Sequence, residues 1–256
     1  MKIEKFKKLK NGVYELQLDN YDKILTYEEV ILKYELLINR EISSKTLKEI
    51  NELNSYYECY YRALRLINKK AYTRKELFIK LKDEELDFDT INKALNELEK
   101  QGYLNDKVYS NGFVNNKIIT TTHGPNRIRK ELSDKGVDSG IISEVMENYT
   151  DEIQLEKIEK IVKRQLNSNR NKSNSYMIRK IKNELLSEGF RNDLVEQVIS
   201  NANISDDSDI REKEYNKIKN KLSKKYSGKE LEYKIKEKMA LKGFYYWFCL
   251  TKKNTF

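Results

Sequence analysis

Apolar residues along most of this chain recur every three or four positions, the spacing that places them on one side of an α-helix. Tyr60, Leu64 and Ile67 form one such stripe, Leu77 and Leu81 the next, and Ile91, Leu95 and Leu98 a third. The set then repeats. Leu77, Leu81 and Leu86 recur as Ile128, Leu132 and Val137, as Ile181, Leu185 and Phe190, and as Ile235, Met239 and Phe244, at offsets of 51, 53 and 54 residues. A period of about fifty residues holds three short helices, and such units gain stability by stacking on their neighbours. In the last three copies a glycine precedes the final apolar residue: Gly136, Gly189 and Gly243. A helix that ends in the left-handed region needs a residue without Cβ there. The first copy carries Glu85, so its helix must end differently.

Residues Lys2 to Thr26 follow another rhythm. Ile3 and Phe6, then Val13, Tyr14, Leu16 and Leu18, alternate around Asn11-Gly12, a dipeptide that tolerates the positive φ of hairpin turns. A small β-hairpin is expected, with room for a third strand near Lys23 to Leu25. Thr26-Tyr-Glu-Glu29 has the form of a capping box ahead of a helix from about Tyr27 to Asn39, and Ser43 or Ser44 should cap another. Thr73-Arg-Lys-Glu76 is a further box, and Pro125, after His123-Gly124, suits the first turn of a helix.

These signals predict an all-α protein: an elongated array of tandem three-helix repeats with a small N-terminal β-hairpin and helix. The extension covers 1–55, and the repeats 56–106, 107–152, 153–205 and a degenerate 206–256. The third helix of the last repeat would have to come from Tyr245-Tyr-Trp-Phe-Cys-Leu250, an aromatic cluster suited to capping the stack.

Composition agrees. One proline and nine glycines leave long helices uninterrupted, and 38% apolar against 36% charged residues suits a thin core under a large surface. The net charge of +9 favours polyanionic partners. It is unevenly spread: residues 151–256 hold 24 Lys and Arg against 16 Asp and Glu, whereas residues 1–150 hold 26 against 25. Cys59 and Cys249 stand alone, without metal-ligand or disulfide spacing, which points to the reducing cytoplasm. No apolar run reaches membrane-spanning length, so no signal peptide, anchor or membrane contact is expected. His123 lacks partners at catalytic spacing and reads as a turn residue. Asp83, Glu84 and Glu85, and Asp206, Asp207 and Asp209, lack calcium-loop spacing and read as solvated helix ends. No phosphate-binding loop is present, and neither a cofactor nor an enzymatic activity is expected.

The stretch from Gln101 to Val137 resembles the RecX family signature in Gly102, Tyr103, Leu104 and Asp106, in Phe113 and Val114, and in Gly124, Arg127, Ile128, Glu131, Leu132, Lys135 and Gly136. Tyr60-Tyr-Arg-Ala-Leu64 and Arg74-Lys-Glu-Leu77 resemble that family's first repeat, and the hairpin resembles the extension of its longer members. Ser110-Asn-Gly112 and Lys117 depart from the usual pattern. The resemblance implies a non-catalytic regulator that lodges in the RecA–single-stranded DNA filament and lowers its ATP hydrolysis and strand exchange. Its partners would be RecA and that filament, with weak, salt-dependent affinity for bare DNA, and a monomer is expected.

Aligned on the glycines, Arg127, Lys180 and Lys234 share one position, and Arg129, Lys182 and Lys236 another. With Lys130 they could line one face suited to phosphates or an acidic protein surface. Lys and Arg are also good helix formers, so chance recurrence is an equal reading. Lys163, Arg164, Arg170 and Lys172 flank the polar stretch 167–175, expected to be a mobile connection that touches DNA or simply joins two helices. Two other functions fit the same features: a duplex-DNA-binding transcription regulator built on a helix-turn-helix, and a protein-interaction solenoid without DNA contact.

Overall fold

The computed structural model describes residues 1–10, 12–84, 86–169, 171–202, 204 and 206–245. Glu85, Arg170 and the aromatic cluster beyond Tyr245, all singled out above, lie outside the described residues. The chain forms two compact units: residues 1–112 with 132–142, and residues 113–131 with 143 onward.

The first unit opens with β1 (Ile3–Lys8), β2 (Val13–Leu18) and β3 (Lys23–Tyr27), an antiparallel sheet in the order β1-β2-β3. Phe6 faces Leu16 and Leu16 faces Ile24 across the ladders, so the hairpin grows into a three-strand meander. Ile3, Leu16 and Leu18 pack on Val30, Ile31, Leu36, Ile42 and Ile50. Each fully buried side chain of this size contributes about 1.5–3 kcal/mol.

Thr26 does not cap the next helix. It lies within β3 fully buried, and its hydroxyl donates to Asn54 Oδ1 at 2.8 Å, while Tyr27 occupies the cap position without a side-chain bond. Helix α1 spans Glu28–Lys33 rather than running to Asn39. In a continuous helix Leu36 would stand about 140° around the axis from Ile31. Instead the chain turns, with Glu35 at φ +50, and Leu36 enters the core.

Ser43 caps α2 (Ser44–Ile67) by accepting from Thr46 N at 3.0 Å. This 24-residue helix runs unbroken through Ser55 and Tyr56. Ile50 on its first half belongs to the sheet-side core, and Cys59 and Ala63 on its second half pack with Leu77 and Leu81 of α3 (Arg74–Lys82) and Ile91, Leu95 and Leu98 of α4 (Phe88–Lys100). Tyr60 packs against that second core, as its place in the stripe suggested.

Helices α5 (Asp106–Thr120), α6 (Pro125–Asp134) and α7 (Ser139–Met146) each have residues in both units. The second unit continues with α8 (Asp151–Ser168), α9 (Asn174–Ser187) and α10 (Asn192–Asn201), which pack on one another and bury Ile158, Val162, Ile181, Leu185, Val195 and Val198. Helices α11 (Ser208–Leu222) and α12 (Gly228–Ala240) pair against each other. The polar stretch 167–175 is not a loose connection where it is described. Its first two residues end α8, and Asn169, 8% exposed, accepts from Lys172 N and donates to Lys172 O at 2.7 Å, while Ser173 caps α9. No helix among the described residues is long and apolar enough to cross a membrane.

Candidate functional site

The second helix of each triplet begins with free backbone N–H groups and ends with free carbonyls. The chain joins these ends to each other, three times over. In the first unit, the Thr73 hydroxyl accepts from Glu76 N within the α3 capping box and donates to the carbonyl of Lys135, at the end of α6, at 2.8 Å. In the second unit, Gly124 N and Asn126 N at the start of α6 donate to the carbonyls of Glu188 and Gly189, after α9, at 2.8 and 3.1 Å. Ser173 N, at the start of α9, donates to Lys242 O, after α12, at 2.9 Å. Each joint brings the negative end of one helix dipole to the positive end of another.

The glycines explain how the ends come so close. Gly136, Gly189 and Gly243 have φ of 79°, 91° and 89°. A Cβ on Gly189 would lie 2.5 Å from Arg127 N, so both the backbone conformation and the approach require glycine. A Cβ on Gly136 would meet the Lys75 side chain, and one on Gly243 the side chains of Ser173 and Tyr176.

Charge marks the first two joints in opposite senses. At the first, Lys135 Nζ lies 2.5 Å from Glu76 Oε1; at the second, Glu188 Oε1 accepts from Arg127 Nη1 at 2.9 Å. His123 joins the second cluster with Nδ1 2.9 Å from Glu131 Oε1, and Lys117 holds the other Glu131 oxygen at 2.6 Å. Burial pushes the Glu131 carboxyl upward, but Lys117, His123 and Arg127 outweigh it and hold the group below the ordinary carboxylate value. The turn position of His123 was legible in the sequence; its charged neighbours, one of them 65 residues away at Glu188, were not.

Asp106 has a specific task. Its Oδ1 accepts from Arg74 N, the first amide of α3, at 2.8 Å, and Asp207 Oδ2 does the same for Asn174 N, the first amide of α9, at 2.7 Å. At the equivalent place in α6 stands Pro125, which has no N–H to satisfy. Burial raises the Asp106 carboxyl above its usual range despite the amide and the Arg74 charge. The other motif residues are structural. Gly102 closes α4 at φ 79°, Leu104, Ile128 and Leu132 are buried, Lys117 Nζ stands 5.1 Å over the Phe113 ring, and Gly124 abuts the Gly189 and Phe190 backbone.

The candidate cations of the second unit separate by environment. Arg127 is tied to Glu188 and Glu131, Lys182 is paired with Glu196, and Lys234 Nζ lies 3.2 Å from Glu237 Oε2. Arg129 is exposed and donates to the Asn126 amide oxygen at 3.4 Å, with no carboxylate partner among the described residues. Lys130, Lys180, Lys163 and Arg164 are exposed, without a carboxylate partner among the described residues; Lys236 is also exposed. The two recurring positions flank the buried Ile128, Ile181 and Ile235 and stand about 200° apart around each helix. They form two rows on opposite flanks rather than one face. Asp206 and Asp207 serve as backbone acceptors, and the described residues contain no group of three or more His, Cys, Asp or Glu able to hold a metal.

Helix triplets whose second helices meet end to end through glycine-closed joints, with a cation-rich second unit, define a tandem three-helix-repeat protein. Residues 59–98 match the model described as "RecX, first three-helix domain" and residues 105–146 that described as "RecX, second three-helix domain". A protein of Streptococcus uberis named "Regulatory protein RecX" is 30% identical over 95% of this chain and 95% of its own length. Its namesake from Oceanobacillus iheyensis is 27% identical over 85% of this chain and 81% of its own. A crystal structure of regulatory protein RecX superposes with a TM-score of 0.69 at 24% identity, covering 78% of this chain and 98% of that one, which shows the same fold. The chain belongs to the RecX family.

Proposed function

We propose that this protein binds the filament formed by RecA on single-stranded DNA and restrains it, lowering ATP hydrolysis and strand exchange by occupancy rather than by chemistry of its own. The observation that carries the reading is the set of exposed cations without carboxylate partners among the described residues, Lys130, Lys180, Lys163 and Arg164 with Arg129 beside them, on a second unit rich in positive charge. Exposed cations free of acidic partners can replace counterions along a phosphate backbone. Arg127, Lys182 and Lys234, already neutralised by Glu188, Glu196 and Glu237, serve the fold first. The protein acts in the cytoplasm as a monomer, with weak and salt-sensitive affinity for bare DNA.

Co-sedimentation with RecA filaments tests the contact. The variant Arg129→Glu/Lys130→Glu/Lys180→Glu should bind about tenfold or more weakly, with a shallower salt dependence and an unchanged melting temperature. Unaltered binding would remove these residues from the interface. Tight binding to a defined duplex without RecA would favour the transcription-regulator reading instead.

A further inference from the structure

The chain itself closes part of one edge of the N-terminal sheet. Along the outer side of β1, Ile3 N donates to Arg40 O and Ile42 N to Met1 O, both at 2.8 Å, and Lys2 bridges Glu41. The other edge is β3, and the ladder shows which of its groups are unused. Leu18 N donates to Asp22 O at 2.9 Å across the turn, which makes that a hydrogen-bonded pair. By the two-residue alternation of an antiparallel ladder, so are Leu16 with Ile24 and Tyr14 with Thr26. Lys23 and Leu25 therefore turn their N–H and C=O groups away from β2, and no backbone group among the described residues meets them there.

This edge forms one wall of a groove of about 660 Å³, and α2 forms the other. Leu47, Asn51, Asn54, Ser55 and Glu58 line the helix wall, at spacings that keep them on one stripe. An extended strand presents a polar main chain and side chains that alternate, and the groove has counterparts for both. Leu25, 57% exposed, and Leu47 are apolar, while Asn51, Asn54 and Ser55 are neutral hydrogen-bonding groups. Asn54 is 9% exposed; its Oδ1 accepts from Thr26, and its Nδ2 is a buried donor with no acceptor among the described residues. An unsatisfied buried donor is costly, and a main-chain carbonyl laid in the groove would supply the acceptor.

We propose that β3 accepts a fourth strand, an extended segment of a partner protein that pairs its main chain with Lys23 and Leu25 and lies against α2. Strand addition of this kind takes its affinity from main-chain bonds and its selectivity from alternate side chains. Charge narrows the partner. Asp22 stands at one end of the groove, and Glu58 at the other, next to the Tyr57 ring that Tyr27 meets at 6.1 Å. Lys23, the cation on the strand, is held by Glu15 at 3.2 Å. The segment is therefore apolar at alternate positions and free of acidic residues. A second copy pairing β3 with β3 antiparallel would set the Asp22 end of each against the Glu58 end of the other, like charge on like.

Hydrogen exchange at the Lys23 and Leu25 amides of the full-length chain tests this. The probe is a seven-residue peptide of alternating valine and threonine with a lysine at each end, and the control is the same peptide with every amide N-methylated. With the probe at millimolar concentration, exchange at both amides should slow about tenfold or more, and the methylated peptide should slow neither. Ser55 is exposed on the helix wall, so Ser55→Tyr should fill the groove and abolish the slowing at an unchanged melting temperature. Unslowed exchange with the unmodified peptide overturns the proposal. So does equal slowing with the methylated one, which would mark contact through side chains alone. Slowing that appears without peptide as protein concentration rises would place a second copy on the edge and overturn it as well.

Discussion

At Gly189 a methyl group decides between two helices. Gly189→Ala would force a left-handed φ on a residue with a Cβ and press that carbon on Arg127 N, costing about 1–3 kcal/mol and several degrees of melting temperature. Gly112 is the counterpart. It lies inside α5, and a Cβ there meets nothing within 4 Å, so Gly112→Ala should raise stability by up to about 1 kcal/mol. Opposite signs in the two thermal melts are the expected outcome; equal destabilisation would contradict the assigned roles. The positions of the three glycines were legible because only glycine suits that backbone, and they repeated in register. Their contacts were not legible, since Arg127 lies far from Gly189 in sequence. Thr26 misled for the same reason: its spacing to Glu29 fits a capping box, but a buried partner at Asn54 holds it on the strand instead.

Elements here are defined by how their ends are satisfied. Asp106→Ala would leave the first amide of α3 without its acceptor and should cost about 1 kcal/mol, whereas removing a carboxylate ahead of α6 would cost nothing of this kind, because Pro125 has no amide hydrogen. The charged joints add a pH dependence. Burial acts to raise Glu76 and Glu131, but Lys135 and the Thr73 amide at one, and Lys117, His123 and Arg127 at the other, hold both carboxyls below their ordinary value. A carboxyl lowered in the folded chain stabilises it above the unfolded value of about 4.3, and that stability is lost as pH falls through the folded value. Asp106, raised by burial, acts in the opposite sense and offsets part of the loss. Thermal melts should be level from about pH 7 to 5 and fall below about 4, with Glu131→Gln showing a shallower fall than the parent chain. An equal acid slope in that variant would deny Glu131 its part in the joint. Helix periodicity located these elements well. It overran at α1, where burial of Leu36 outweighs continued helix, and it missed the structured turn after α8 because a polar stretch gives no sign of an Asn side chain that bonds its own loop.

For the whole molecule, the repeat and the family motif were open in the sequence, and the cationic bias of the second half was a matter of counting. Which cations are available to a partner was not, since Arg127, Lys182 and Lys234 are taken up by carboxylates on other turns and other helices, while Lys130 and Lys180 are exposed without one among the described residues. On the proposed reading, in which the exposed cations displace counterions, filament affinity should fall steeply with added salt, and charge reversal should flatten that slope. The most direct test of the central claim is the single-stranded-DNA-dependent ATPase rate of RecA from the same organism, titrated with this protein at substoichiometric amounts and at two salt concentrations. The account predicts a clear fall in rate, weaker at the higher salt and absent with an unrelated protein of similar net charge. An unchanged rate, with no detectable binding to the filament, would contradict it.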